Sequence, residues 1–398
     1  MSQSEYQRND QPVFVTGHQM ITSLGFTIDE HIDSLRQSET GIRWVEDPEL
    51  LPEPCYVSLV DQEKLTDRFA QRIDSGVSYT RLEKMALLSI HDALTASGID
   101  LASSSTIFLF ATTKGNIDLL GADQKEHFGE KRAYLWETAR VIKDHFSNPN
   151  RAITVSNACV SGVLAINTAA ELLRMGYYRH AVVLGADIIS SFTALGFQSF
   201  KAIGTTPCRP FDSQRDGLTL GEGAGTMILT TDEHLAGTNG REPLVSVAGG
   251  GSSNDANPIS GPSRTGEELN FAIKKALDEA GLTANDIDHL SAHGTATEYN
   301  DEMESKAFTL AGLQEVPTNS LKGYFGHTLG AAGIIESVGL LASMYNREIY
   351  ATKGYQNLGV PKNINIVDRY RQQSLRNCLK SGSGFGGSNA TVVFKAHD

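Results

Sequence analysis

Cys159 is the residue of this chain that is best placed to act as a nucleophile. It lies in the stretch Ser-Asn-Ala-Cys-Val-Ser-Gly at 156–162, between a strand pattern at 151–155 and a helix pattern at 163–175 that is apolar almost all the way round. A helix of that kind is normally buried. The free N–H groups and positive dipole end at its N-terminus favour an anion, and the thiolate is the reactive form of cysteine. We therefore expect a thiol that is activated by its position.

Two histidines are the next candidates. His293 follows the apolar strand pattern at 287–292 and opens a His-Gly-Thr-Ala-Thr turn, and His327 precedes an apolar helix pattern at 330–345. Taken alone, each histidine is more often a surface residue or a satisfied core residue. A thiol with two imidazoles beside it is a nucleophile with hydrogen-bond donors or bases, which is the arrangement that covalent acyl transfer requires.

A charge inside an apolar helix and a glycine-rich turn complete the set. Glu336 lies within the second apolar helix pattern, where a charge is costly unless it is paired. Lys322 is the nearest plausible cation in the sequence, and the alternative is that Glu336 points outward. The glycines of Gly-Phe-Gly-Gly-Ser-Asn at 384–389 permit positive φ and close backbone approach, although such a turn is usually only a tight hairpin.

Similar segments suggest that the chain contains two copies of one unit. An ungapped alignment of Cys159 with His327 also matches five further pairs: Gly162 with Gly330, Leu172 with Leu340, Leu173 with Leu341, Tyr177 with Tyr345, and Arg179 with Arg347. A hairpin pattern closes each half, at 217–230 and at 381–395. We predict two halves, residues 1–240 and 241–398, whose pseudo-symmetry brings His327 close to Cys159.

Strand and helix patterns alternate within each half. This alternation predicts mostly parallel sheets covered by helices, with sites at the carboxyl ends of strands. The predicted strands are 13–16, 106–110, 152–155, 181–184, 244–247, 287–292 and 391–394. The predicted helices are 30–36, 81–96, 136–145, 163–175, 266–280, 300–311 and 330–345.

Composition excludes several classes of function. The chain has 398 residues and a net charge of −13, which argues against nucleic acid as the main partner because phosphate binding needs concentrated Lys and Arg. No apolar run is long enough to span a bilayer, and the polar N-terminus lacks a signal-peptide core, so a cytoplasmic location is expected. The cysteines have no metal-ligand spacing. We expect Cys55, Cys208 and Cys378 to be small buried apolar residues.

Together these residues resemble the β-ketoacyl-acyl-carrier-protein synthases of the elongating type I/II class, which are thiolase-like condensing enzymes. The likeness extends over almost the whole chain. Its most specific parts are Cys159 with Ser161-Gly162, His293-Gly294-Thr295, Lys322 with Gly326-His327, and Gly384-Phe385-Gly386-Gly387. The resemblance implies an α/β fold, a five-layered αβαβα sandwich built from two duplicated halves. It also implies a homodimer, or a heterodimer with a related ketosynthase, and no cofactor or metal.

The resemblance also implies roles for individual residues. Cys159 would carry the acyl chain as a thioester, and the N–H groups of Cys159 and Phe385 would form an oxyanion hole. His293 and His327 would hold the malonyl thioester carbonyl and stabilise the enolate left by decarboxylation. Phe385 would also act as a gate. The other implied roles are Lys322 paired with Glu336, Asp301 and Glu304 holding the His293 loop, and Thr295 and Thr297 binding the phosphopantetheine arm.

The implied reaction is the decarboxylative condensation of malonyl-acyl-carrier protein with a Cys-bound acyl chain, giving a 3-oxoacyl-carrier protein. The carrier protein is acidic, so its docking patch is expected among Lys201, Arg209, Arg81 and Lys84. Some segments depart from the pattern common in fatty-acid elongators, and they suggest a different acyl tunnel or dimer interface: 112–116, 255–258, Val160 and Cys208. The pathway therefore stays open between fatty-acid and polyene or polyketide-like biosynthesis.

Four other readings remain. A non-catalytic partner of the chain-length-factor kind would share the fold but lack the thiol, and Cys159 argues against it. An initiating ketosynthase pairs Cys and His with Asn, which His327 argues against. A thiolase needs a second cysteine near the C-terminus, but Cys378 precedes the glycine-rich turn. A module that only binds acyl-carrier protein would form no covalent adduct.

Overall fold

The computed structural model describes residues 11–74, 76–95, 97–121, 127–237, 243–255 and 261–397. The strands are β1 Val13–Ile21, β2 Ile42–Val45, β3 Cys55–Ser58, β4 Thr106–Ala111, β5 Ile153–Val155, β6 His180–Asp187, β7 Leu220–Gly221, β8 Gly223–Thr230, β9 Leu244–Asn254, β10 His289–Ser291, β11 Thr318–Asn319, β12 Glu348–Ile349, β13 Arg371–Gln372, β14 Asn377–Gly384 and β15 Ser388–His397. The helices are α1 Ile28–Arg36, α2 Gln62–Arg72, α3 Arg81–Leu94, α4 Leu135–His145, α5 Ser161–Arg174, α6 Ser191–Ser199, α7 Glu233–Gly237, α8 Glu267–Ala280, α9 Glu298–Leu310, α10 Lys322–Phe325 and α11 Ala332–Asn346.

The main sheet repeats one topology on either side of its centre. Its order is β11-β10-β14-β15-β9-β1-β8-β6-β4-β5. Counted outward from the β9–β1 junction, each half has two antiparallel pairings followed by two parallel pairings. This repetition agrees with a duplicated unit. The predicted boundary at 240/241 falls outside the described residues and stays a prediction. The expectation of mostly parallel sheets is wrong, because the central pairings of each half are antiparallel, and so is the β9–β1 junction.

Helices form three layers around the two halves of this sheet. The helices α3 and α4 pack against strands of the first half, α8 packs against strands of the second, and α9 packs against α8. Between them, α5 and α11 contact each other and strands of both halves. Every residue of α11 from Ala332 to Met344 is buried, as expected for a helix without a polar face. The five-layered thiolase-like sandwich that the resemblance implied is therefore confirmed.

The two central helices approach so closely that only glycine fits at their crossing. A Cβ added to Gly162 of α5 would lie 2.8 Å from the backbone N of Ile334 and 3.0 Å from the Cα of Gly333. A Cβ on Gly333 would lie 2.5 Å from the backbone N of Val163. Backbone atoms cannot move aside as a flexible side chain can. The crossing therefore brings the N-terminal ends of both helices to one place.

Local sequence explains where the outer helix α3 begins. Thr80 Oγ1 accepts the N–H of Glu83 at 3.2 Å, and the Glu83 carboxylate accepts the N–H of Thr80 at 2.9 Å. This reciprocal capping satisfies two backbone donors that the first helical turn leaves free.

Within the described residues, no helix combines the length and the apolar character needed to cross a bilayer.

One predicted hairpin is present and the other is not. β14 and β15 pair antiparallel from Asn377↔Lys395 to Gly384↔Ser388, so the hairpin at 381–395 is confirmed. The hairpin predicted at 217–230 is wrong. Its first strand, β7, pairs with β3 in a separate small sheet, whereas β8 pairs with β1 and β6 in the main sheet.

Candidate active site

Cys159 lies in a strained turn between β5 and α5. The preceding residue, Ala158, has a φ of +44°, a conformation that non-glycine residues rarely adopt and that clusters at functional sites. Ser161 Oγ closes the turn by accepting the N–H of Asn157 at 2.8 Å and donating to the carbonyl of Ala158 at 2.6 Å. The turn presents the thiol just before the helix begins.

The resting thiol is protonated, contrary to the prediction of an activated thiolate. Burial raises the pKa of Cys159 to about 12, and the charge of Lys322 and the backbone N–H of Phe385 offset this only in part. Cys159 is 8% exposed and precedes the first helical residue by two positions. Removing a thiolate from water therefore outweighs the field of the helix end. Activation has to come from groups that take up the proton or from substrate.

The thiol and the two histidines converge. One ligand atom from each of Cys159, His293 and His327 lies within 4.8 Å of the others, and the imidazole centroids are 5.1 Å apart with their planes at 85°. His327 stands two residues before the short 3-10 turn Leu329–Ala331 that leads into α11. Within the described part of the chain, no second group of three His, Cys, Asp or Glu side chains converges in this way.

His293 has its tautomer fixed by Lys322. The Lys322 ammonium donates to the His293 carbonyl at 2.6 Å and lies 3.3 Å from Nδ1. Because an ammonium can only donate, Nδ1 accepts and the imidazole proton sits on Nε2. Burial lowers the pKa of His293 well below its usual value, and Lys322 and His327 lower it further. His293 is therefore neutral and offers one N–H donor.

His327 is a buried imidazole that packs edge-on against His293. Among the described residues neither of its ring nitrogens has a hydrogen-bond partner, although the residue is 1% exposed. Burial lowers its pKa well below the usual value, with further lowering by Lys322 and Lys380. Buried polar atoms are normally satisfied, so these two nitrogens are available to a substrate.

Beneath the histidines lies a cluster of three buried charges. Lys322 forms an ion pair with Glu336, so the alternative that Glu336 points outward does not hold. Lys380 of β14 contacts the other carboxylate oxygen of Glu336 at 2.7 Å. Sequence reasoning missed Lys380. The one available signal was a lysine within the short apolar stretch that precedes the glycine-rich turn.

Two acidic side chains of α9 hold the His293 loop. Glu304 accepts the backbone N–H groups of His293 at 2.8 Å and Gly294 at 2.6 Å. Asp301 accepts the N–H of Thr295 at 3.0 Å and of Phe211 at 2.7 Å. Both carboxyl groups are fully buried. These bonds anchor the backbone that carries the imidazole.

A cavity of about 650 Å³ leads from the surface to the three converging side chains. Thr295 and Thr297 line it, with their hydroxyl oxygens 2.8 Å apart. Phe385 stands beside the thiol, and its ring lies 5.5 Å from those of both Phe197 and Phe200. The cavity thus has a polar wall of hydroxyls and an aromatic wall.

The candidate docking cations differ in their surroundings. Lys201 is exposed and lines the cavity. Arg81 is held by the buried carboxylate of Glu222, which weighs against a free docking role. Lys84 lies 5.7 Å above the ring of Phe69, and Arg209 donates to Gln214.

Asp187 is a second residue that sequence reasoning missed. Its buried carboxylate accepts the hydroxyl of Thr112 at 2.9 Å and the N–H of Gly330 at 2.8 Å. It therefore ties the unusual 112–116 segment to the start of the second central helix.

Residues 256–258 of the other unusual segment lie outside the described part. The expected burial of the remaining cysteines is confirmed, because Cys55, Cys208 and Cys378 are buried and unpaired.

Comparison with known proteins gives the family. Residues 10–234 match the model of the beta-ketoacyl synthase N-terminal domain, and residues 244–356 match that of its C-terminal domain. The chain belongs to the beta-ketoacyl synthase family. It is 33% identical over 256 residues to the 3-oxoacyl-[acyl-carrier-protein] synthase 2 of Vibrio cholerae, and the alignment covers 61% of this chain and 62% of that protein.

Solved structures agree with the fold. The ishigamide ketosynthase/chain length factor superposes with a TM-score of 0.87 at 26% identity, over 98% of this chain and all of that one. A ketosynthase in complex with its chain length factor from Xenorhabdus doucetiae gives a TM-score of 0.84 at 22% identity, over the full length of both chains. This member of the beta-ketoacyl synthase family therefore has the thiolase-like fold.

Proposed function

We propose that this protein condenses malonyl-acyl-carrier protein with an acyl chain on Cys159 and releases CO2. The product is a 3-oxoacyl-carrier protein two carbons longer than the acyl chain. One observation carries this proposal: the buried thiol and two buried, neutral imidazoles converge on one cavity. Nucleophile and hydrogen-bond donors at that spacing suit acyl transfer followed by enolate stabilisation.

In the first half-reaction, Sγ of Cys159 attacks the thioester carbonyl of an acyl-carrier protein. The bond from that carbonyl to the phosphopantetheine sulfur breaks, and the thiol proton ends on the departing sulfur. Because the thiol's pKa is about 12, the proton leaves as the new bond forms, and the neutral His327 is a base within reach. The N–H groups of Cys159 and Phe385 serve the negative oxygen, and the N–H of Phe385 already reaches the thiol.

In the second half-reaction, malonyl-carrier protein loses its carboxylate as CO2. The electron pair of the broken C–C bond passes into an enolate, whose oxygen receives the Nε2–H of His293 and an N–H of His327. The enolate carbon then attacks the acyl carbonyl on Cys159. The C–S bond breaks, and the sulfur leaves as a thiolate that takes up a proton. Loss of CO2 makes the sequence effectively irreversible.

The phosphopantetheine arm would enter through the cavity, with Thr295 and Thr297 as its hydroxyl partners and Phe385 as the gate. We propose Lys201 for carrier docking because it is exposed at the same cavity. A dimer, either of this chain or with a related ketosynthase, a cytoplasmic location and the absence of a cofactor stay predictions. The pathway stays open between fatty-acid and polyene or polyketide-like biosynthesis.

A second candidate is a non-catalytic partner of the chain-length-factor kind. It is favoured by the likeness to a protein described as a ketosynthase/chain length factor, and a thiol that is protonated at rest is compatible with it. The complete set of Cys159, His293 and His327 favours catalysis. A non-catalytic partner does not require a strained turn that presents a thiol to two unprotonated imidazoles.

Intact-mass measurement after incubation with acyl-carrier proteins of different chain lengths tests the proposal. We expect an acyl adduct on the wild type, none on Cys159→Ala, and an unchanged adduct on Cys55→Ala, a buried cysteine of the separate small sheet. The order of adduct yields gives the preferred chain. Absence of an adduct with every donor would favour the non-catalytic candidate.

A further inference from the structure

The second buried lysine of the site has a specific set of contacts. The Lys380 ammonium is fully buried and lies 2.7 Å from Oε2 of Glu336. It also donates to the carbonyls of Ala292 at 3.1 Å and Ser291 at 3.3 Å. Its neighbour Lys322 pairs with the other oxygen of Glu336 and holds the next carbonyl, that of His293. The two lysines thus donate hydrogen bonds to consecutive backbone carbonyls at the end of β10.

Charge balance indicates that Lys380 does more than neutralise Glu336. Burying a charge is costly unless it is paired, and Glu336 already has Lys322. The other charged group that acts on Lys380 from a neighbouring element is Glu304 of α9, whose oxygens are occupied by the His293 loop.

We propose that Lys380 is a positioning residue for the decarboxylation step, because it fixes the carbonyls that end β10 and places a second positive charge behind His293 where the enolate forms. This inference rests on the proposed function. The negative charge of the malonyl carboxylate moves during C–C cleavage to the thioester oxygen, which is the atom that the histidines contact. A fixed cation behind them favours that redistribution.

Loss of Lys380 should affect the two half-reactions differently. Acyl transfer to Cys159 places its negative oxygen on the N–H groups of Cys159 and Phe385, away from the lysine cluster. Loss of the Lys380 charge should therefore affect decarboxylation much more than acylation. It should also make His293 easier to protonate, since Lys380 is one of the charges that lower its pKa. As the pH is lowered, activity that needs neutral His293 would then be lost at a higher pH than in the wild type.

The test compares Lys380→Met with Lys395→Met, which removes a half-buried lysine of β15. Acylation is followed by intact mass, and decarboxylation by CO2 release from malonyl-carrier protein across the acid pH range. For Lys380→Met we expect acylation within about threefold of wild type, decarboxylation reduced by about tenfold or more, and an acid limb moved to higher pH. Lys395→Met should match the wild type.

A second variant guards against loss of folding. Lys380→Gln keeps an N–H donor for the carbonyl of Ala292 but removes the charge, and it should show the same shift of the acid limb. An unmoved acid limb with wild-type decarboxylation overturns the inference. So does an equal loss of both half-reactions in a variant that stays folded. If the wild type performs neither half-reaction, the proposed function fails instead.

Discussion

Glu304→Gln is the substitution whose effect the structure defines most completely. The Glu304 oxygens accept two backbone N–H groups, from His293 and Gly294, together with the hydroxyl of Ser381 at 2.8 Å and the amide of Asn300 at 3.0 Å. Each oxygen faces one of the two backbone donors. A glutamine amide placed at either oxygen therefore sets a donor against a buried N–H, while the side chain keeps its shape.

The magnitude follows from those bonds. An unsatisfied buried donor costs about 1–3 kcal/mol, and a hydrogen bond to a charged acceptor is worth about 1.5–3 kcal/mol. We expect Glu304→Gln to lower the free energy of unfolding by about 3–5 kcal/mol in total. Because the same bonds hold the His293 backbone, a shift of the imidazole by about 1 Å should slow decarboxylation by about a hundredfold.

Urea unfolding and CO2 release from malonyl-carrier protein measure the two effects. Glu267→Gln is the control, because Glu267 is an exposed carboxylate on the neighbouring helix α8. It should leave both quantities unchanged. Glu304→Gln with the stability of the wild type and undiminished CO2 release would refute the view that this carboxylate holds the catalytic loop.

Three further predictions concern the scaffold, the thiol and the carrier. Gly162→Ala should destabilise the protein by about 3 kcal/mol, because the new Cβ meets the backbone of Ile334. Gly196→Ala, which has open space around it, should instead stabilise α6 by up to about 1 kcal/mol. Thermal or urea unfolding of the two variants measures this difference. Alkylation of Cys159 should accelerate about tenfold per pH unit from about pH 7 to 9, since its pKa of about 12 leaves little thiolate; a plateau below pH 9 contradicts this. Lys201→Glu should raise the apparent KM for carrier protein at low salt and less so at high salt; an unchanged KM removes Lys201 from the docking surface.

The proximity of Cys159 and His327 could be predicted from the sequence, because the two segments that carry these residues are similar. The alignment of Cys159 with His327 placed both residues just before apolar helices. The structure brings these helices together at Gly162 and Gly333. Their burial followed from the absence of a polar face. The five-layered fold was implied by the resemblance to condensing enzymes, whereas the alternation of strand and helix patterns alone predicted mostly parallel sheets, which was wrong.

Features that depend on tertiary neighbours could not be predicted. The segment 217–230 has the local pattern of a hairpin, but β8 finds its partners in β1 and β6, which lie far away in the sequence. The pKa of Cys159 depends on how fully the site excludes water, which a helix pattern does not reveal. Lys380 appears as one lysine in a strand until β10 and α11 bring the carbonyls of Ser291 and Ala292 and the carboxylate of Glu336 next to it.

The mass of the carrier-bound product in a single turnover tests the central claim most directly. Enzyme acylated on Cys159 is mixed with malonyl-carrier protein, and the carrier is weighed. We predict a 3-oxoacyl group two carbons longer than the acyl donor. This product should be lost in His293→Ala while the acyl group remains on Cys159, and in His327→Ala, where acylation should also be slower because the base is missing. Undiminished product in either histidine variant, or an acylated wild type that never extends its chain, would contradict the account.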